Sequence, residues 1–186
     1  MKNQFLTMLF VGLSTFISNA QPVLAGIRLE EKIVVEGKNL VLNGAGIREK
    51  YFMDLYVGSL YVTKKSSNDQ ELINSKDATA IKLNIISGMI TSKKMISAVN
   101  EGFENATNKN TAPLKAKIDK FKGFFKDEIV KGDVFTIAFD GNEVHVFKNG
   151  TKKGSIDGYD FKKVLFAIWL GKKPADEDLK RGMLGN

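Results

Sequence analysis

Two periodicities alternate along the chain. Ile33-Val34-Val35 and Leu40-Val41-Leu42 are short apolar runs separated by Glu36-Gly37-Lys38-Asn39, which predicts a hairpin over residues 30–43. Asn43-Gly44-Ala45-Gly46 is a turn signal. After it, Phe52, Met53, Leu55, Tyr56, Val57, Leu60, Tyr61 and Val62 predict one strand from Arg48 to Val62, apolar on both faces. Gly58 and the β-branched ends of that run argue against a helix. A short helix is expected over Asp69 to Asn74, with Ser67 or Asn68 as N-cap. In the strand from Thr79 to Ile86, Ile81, Leu83 and Ile85 alternate with Lys82 and Asn84, so one face should be wet.

The period then changes. Met95, Ile96, Val99, Phe103 and Ala106 have helical spacing behind a Thr91 or Ser92 cap. Pro113 suits the start of a second helix whose stripe is Leu114, Ile118, Phe121 and Phe125. Val134–Phe139 and Glu143–Phe147 read as strands joined by Asp140-Gly141-Asn142, and Asn149-Gly150 turns into a third strand ending near Ile156. A helix lined by Phe161, Val164, Leu165, Ile168 and Trp169 ends at Gly171, with Pro174 beyond it, and a last helix runs from Asp176 to Met183. Strands in hairpin groups separated by helices predict an α+β fold: a mostly antiparallel β-sheet covered by a layer of helices. No repeat or linker divides residues 26–186, which read as one domain.

Residues 1–25 do not fit that pattern. Lys2 is their only charge, an apolar stretch runs from Phe5 to Ile17, and Ser18-Asn19-Ala20 and Val23-Leu24-Ala25 offer small-residue cleavage sites. This is the layout of a secretory signal, and the apolar run is short for a membrane span of about 20 residues. A secreted, periplasmic address is expected. The chain has no cysteine, which removes thiol nucleophiles and thiolate metal sites.

The formal net charge is +7, or +6 without Lys2, and most of the excess is lysine scattered along the chain, from Lys64-Lys65 to Lys162-Lys163 and Lys172-Lys173. A solvated surface accounts for such scatter, and weak contact with an anionic membrane surface is the sharper expectation. No nucleic-acid-binding motif is present.

Familiar catalytic schemes are poorly supplied. The lone His145 alternates with Val144 and Val146 and should point away from the core. One histidine without cysteines makes no zinc site, and there is no Gly-x-Ser-x-Gly elbow. Gly44-Ala45-Gly46 lacks the third glycine of a dinucleotide loop. Asp176-Glu177-Asp178 reads as helix N-terminal charge. No metal or cofactor is expected.

Arg48 carries the most chemistry, because a guanidinium entering an apolar strand needs an anionic partner. A salt bridge to Asp54 or Glu49 is one reading. The other is an anion site, since a guanidinium grips a carboxylate through two parallel hydrogen bonds. In an unbroken strand Arg48, Asp54 and Tyr56 share a face, so Asp54 would orient Arg48 and Tyr56 would add a phenol donor.

Gly44-Ala45-Gly46-Ile47-Arg48 with Tyr56-Val57-Gly58-Ser59-Leu60-Tyr61, then Asn100-Glu101-Gly102-Phe103, then Leu165-Phe166-Ala167-Ile168-Trp169-Leu170-Gly171, together resemble the chalcone isomerase-like family, in particular its bacterial secreted branch. The resemblance implies an antiparallel sheet under helices with a ligand cleft between them. In the plant enzymes an arginine steers the attack of a phenolate on an enone, and Arg48 matches it. Where those enzymes carry a threonine this chain has Leu55, and Thr91 and Ser92 stand where they carry a tyrosine. Other branches are similar to fatty-acid-binding proteins, in which the arginine and a tyrosine hold a carboxylate.

The leading expectation is therefore a non-catalytic binder of a small amphipathic carboxylate or phenolic ligand, with Arg48 and Tyr56 at the site. Phe52, Phe103, Phe121, Phe125 and Trp169 are candidates to line the cavity, or plain core. An isomerase of the intramolecular lyase type, and a structural or partner-binding envelope protein with a filled cleft, are the alternatives.

Overall fold

The computed structural model describes residues 21–186. A small antiparallel pair, β1 (Val23–Leu24) and β2 (Ile27–Arg28), precedes the main sheet. The expected leader lies, up to residue 20, outside the described residues. Seven strands then form one sheet in simple sequence order: β3 (Lys32–Val35), β4 (Lys38–Lys50), β5 (Met53–Val62), β6 (Thr79–Ile85), β7 (Val134–Phe139), β8 (Glu143–Lys148) and β9 (Thr151–Asp157). Every neighbouring pair is antiparallel. Among the described residues five α-helices complete the fold: α1 (Asp69–Asn74), α2 (Ser92–Ala106), α3 (Lys115–Gly123), α4 (Tyr159–Leu170) and α5 (Glu177–Met183). This is the α+β arrangement the patterning predicts.

Three of these helices, α1, α2 and α5, start where a side-chain oxygen satisfies a free amide. Asn68 accepts from Glu71 N, Thr91 from Lys94 N and Asp176 from Leu179 N. Asp176 and its acidic neighbours are thus a helix start, as the sequence reading has them. The main core lies between sheet and helices, where Phe103, Phe121, Phe125, Phe135, Phe161 and Phe166 are fully enclosed. A smaller apolar cluster of Leu40, Tyr61, Ala78, Ala80 and Ala138 covers part of the sheet's other face.

The longest expected strand is in fact a hairpin. β4 reaches Lys50, Tyr51 and Phe52 turn, and β5 begins at Met53. Both turn residues have positive φ, 54° and 61°, the geometry of a two-residue hairpin loop. Asn43-Gly44-Ala45-Gly46 is not a turn. It lies inside β4, where the glycines let α5 approach the strand. A Cβ on Gly44 would sit 2.8 Å from Gly185 N and 2.9 Å from Met183 O, and one on Gly46 would sit 2.9 Å from Leu179 Cα. Asn43 secures the same junction by donating to Met183 O (2.8 Å) and Ser66 O (3.0 Å) while accepting from Ser66 N.

Two further expectations change. The Lys82 and Asn84 face of β6 is not wet: Asn84 is buried and Lys82 is half-buried in an ion pair with Glu30. Lys162 is not a surface lysine. It is fully buried on α4, where its Nζ donates to Leu72 O (2.8 Å), Ile73 O (3.0 Å) and Ser75 O (2.8 Å) at the end of α1. Burial pushes this amine down to about 8.

Candidate functional site

The end of the β4–β5 hairpin stands across from α2 and the C-terminal half of α4. Between them is a cavity of about 300 Å³, at the lower end of the ~300–1,000 Å³ range of small-molecule sites. The sheet contributes Arg48, Lys50, Met53, Leu55, Tyr56 and Leu83 to its wall; α2 contributes Met95, Ala98 and Val99; α4 contributes Ile168 and Trp169. Lys94, Ser97 and Glu101 of α2, with Tyr51 and Met89, also border it. The two helical walls meet closely because residue 102 is glycine: a Cβ there would lie 2.7 Å from Ile168 Cγ2.

A break in register builds the sheet wall. Arg48 pairs with Tyr56 and Glu49 with Asp54, which leaves Leu55 without a partner. Such a bulge re-aims side chains. Leu55 and Tyr56, adjacent in sequence, both line the cavity, while Glu49 and Asp54 oppose each other and do not. Asp54 is therefore not on the face of Arg48 and does not orient it, contrary to the unbroken-strand expectation. Arg48 and Tyr56 do share a face, as cross-strand partners. The Arg48 Cζ lies 5.9 Å from the centre of the Tyr56 ring, within cation–π range.

Among the described residues no carboxylate pairs with Arg48. It is half-buried beside a predominantly apolar wall. Tyr56 is also tied to α4, where Trp169 Nε1 donates to its hydroxyl oxygen at 3.0 Å in a buried hydrogen bond. That bond uses the oxygen as acceptor and leaves the phenolic hydrogen without a protein acceptor among the described residues. The Arg48 guanidinium and the Tyr56 phenol thus both belong to the lining of one mainly apolar cavity, a donor set suited to a carboxylate or another oxyanion.

Tyr56 lines the cavity as expected, and of the five further aromatic residues named as candidates to line it Trp169 alone does. Phe103, Phe121 and Phe125 are packed core, and Phe52, at the hairpin turn, is 99% exposed. Thr91 and Ser92 are committed elsewhere: Thr91 caps α2, and the Ser92 hydroxyl donates to Phe125 O and Lys126 O. Sequence reasoning missed the cavity's thioether and aliphatic walls, among them Met95, Ala98, Val99 and Ile168. The α2 stripe was visible as core, but nothing in its spacing separates a filled interior from a hollow one.

His145 lies on the far face of the sheet, in register with Ala138 and Ser155. It does point away from the helical core, yet it is buried, not solvated. Its Nε2 is 2.8 Å from Asp140 Oδ2, and its Nδ1 has no partner. It does not border the cavity. No group of acidic or histidine side chains fit to hold a metal is found among the described residues, and none of their helices is long and apolar enough to cross a membrane.

A chalcone isomerase-like family model matches residues 21–185. The fold resembles the crystal structure of the Arabidopsis thaliana fatty-acid binding protein AtFAP1, with a TM-score of 0.63 and 17% identity, over 83% of this chain and 96% of that one. No curated protein matches the chain.

Proposed function

The chain belongs to the chalcone isomerase-like family, and within it we propose a non-catalytic carrier of a single-chain carboxylic acid, held by Arg48 and Tyr56 with its tail in the α2–α4 cavity. The observation that carries this reading is a half-buried guanidinium with no carboxylate partner among the described residues, on the wall of an apolar cavity. A volume of about 300 Å³ suits one acyl chain better than a multi-chain lipid. AtFAP1, of similar fold, is described as a fatty-acid binding protein, which favours the acid over a phenolic ligand. The cavity also weighs against an envelope protein with a filled cleft.

The isomerase reading has less support. Stabilising a developing oxyanion takes several preorganised donors, each worth about 2.7–4 kcal/mol. Leu55 puts an aliphatic side chain on the wall where the plant enzymes carry a threonine, and Thr91 and Ser92 spend their hydroxyls on backbone groups. The leader-like residues 1–25 make an exported, periplasmic carrier of the bacterial branch part of this proposal.

Native mass spectrometry of freshly purified protein tests the reading. A bound monocarboxylic acid in the wild type, absent from Arg48→Ala, is the expected result. Empty protein that also fails to take up added dodecanoate contradicts it.

A further inference from the structure

The cavity is bordered by a surface that its own chemistry does not explain. Tyr51 and Phe52 form the tip of the β4–β5 hairpin, 78% and 99% exposed, and both hold positive φ, which bulky side chains rarely adopt. A two-residue loop of this type is ordinarily built from asparagine and glycine. Met89, 40% exposed, borders the same opening. Beside these apolar groups stand Lys50, whose Nζ lies 5.6 Å from the centre of the Tyr51 ring, and Lys94. The cavity lining carries three cations, Arg48, Lys50 and Lys94, against one carboxylate, Glu101. Glu49 and Asp54 do not line it.

We infer that this tip is a lipid-contacting element: Tyr51, Phe52 and Met89 enter the headgroup–acyl boundary of a bilayer, with Lys50 and Lys94 at the level of the headgroups. Aromatic rings flanked by lysines are the composition that partitions to that boundary. The strand geometry supplies the direction. Tyr51 belongs both to the exposed tip and to the cavity border, so a seated tip sets the cavity's mouth against the lipid, and a single-chain acid passes between bilayer and protein without crossing bulk water. Cation excess on the cavity side complements anionic headgroups. This transfer role rests on the carrier reading above; the membrane contact itself does not.

The chain has no cysteine, so one environment-sensitive label reports one position. Protein is expressed from the full 186-residue sequence as Phe52→Cys, carrying a nitrobenzoxadiazole label. The control carries the same label at Lys64→Cys, beyond the opposite end of β5. Vesicles of phosphatidylcholine, alone or mixed with phosphatidylglycerol, are added to each. The expected result is a blue-shifted, brighter emission at position 52 and none at position 64, on either composition. In unlabelled protein, Phe52→Ser, at a tip position outside the cavity lining, should lower vesicle flotation at least about fivefold and slow uptake of dodecanoate from vesicles. Its melting temperature and its affinity for dodecanoate in vesicle-free buffer should stay unchanged. No response at position 52, equal responses at both positions, or a response to added unlabelled protein in place of vesicles overturns the inference, the last pointing to a second copy of the chain. Absence of dodecanoate binding in buffer, with the label response intact, sinks the carrier reading and leaves the contact standing.

Discussion

Arg48 and Tyr56 are direct cross-strand partners on β4 and β5, and the phenol of Tyr56 is tied to Trp169 Nε1 on α4. The sheet and the helical layer therefore meet at a polar point on the cavity wall. Arg48 contributes no ion pair among the described residues, so its removal should cost function and not stability. Arg48→Ala is expected to weaken binding of a carboxylate ligand by about 1.5–3 kcal/mol, the worth of a charged hydrogen bond. Its melting temperature should match the wild type. Calorimetric titration and thermal melts of the same sample check both halves.

Tyr56→Phe should behave differently. It removes a donor to the ligand and also leaves the Trp169 indole N–H without its acceptor in a buried place. A loss of about 1–3 kcal/mol of stability is expected on top of weaker binding. A denaturant midpoint lower than that of Arg48→Ala is the observable.

The α5 junction predicts a purely structural defect. Gly44→Ala drives a methyl into the backbone of Gly182, Met183 and Gly185, and backbone cannot turn aside as a side chain can. A destabilisation of about 1–3 kcal/mol is expected from such overpacking. Ligand affinity, measured well below the melting temperature, should change little, because neither Gly44 nor α5 lines the cavity.

Lys162 should be as sensitive. Lys162→Met keeps the length and the apolar stem but leaves three carbonyls at the end of α1 without their donor. About 2–3 kcal/mol of stability should be lost, with hydrogen exchange rising first in α1. Binding should be spared, because Lys162 is outside the cavity wall.

Acid should expose a second polar pair, the buried His145 with the half-buried Asp140. Burial alone would raise the Asp140 carboxyl, but the Glu143 amide, the His145 ring and the Asn142 amide outweigh it and bring it down to about 2. Unfolded, it titrates near its ordinary 3.8. A folded pKa below the unfolded one adds stability that is fully present above the unfolded value and is lost as pH falls through the folded value. For Asp140 this amounts to about 2 kcal/mol, disappearing between about pH 4 and pH 2. Urea midpoints of wild type and Asp140→Asn across that window should converge as the pH drops.

Much of this was legible in the residues, though not always for the right reason. The strands, the helices and their caps follow from periodicity and capping chemistry, and the pairing of Arg48 with Tyr56 was expected. The expectation took them as residues of one strand, eight apart. They are partners across a hairpin, and both geometries put them on one face. The same mistaken strand placed Asp54 beside them and made Phe52 a candidate for cavity wall or core, not for an exposed turn. Tyr51-Phe52 lacks the asparagine–glycine signature of a tight turn, while Asn43–Gly46, which has glycines to spare, is needed for the approach of a helix. Lys162 did leave a signal: with Leu165, Phe166 and Trp169 it holds helical spacing on the apolar face of α4. A hollow behind the α2 stripe leaves none, because filled and empty interiors are lined by the same residue types.

The central claim is that a carboxylate is gripped at Arg48 with its tail against Trp169, the single tryptophan of the chain. Titrating the protein with dodecanoate and, separately, with its methyl ester while following tryptophan emission addresses both ends of that ligand at once. Saturable quenching or shift by the acid, at least about tenfold weaker with the ester and with acid on Arg48→Ala, is the predicted outcome. Equal responses to acid and ester, or no response to either, would contradict it.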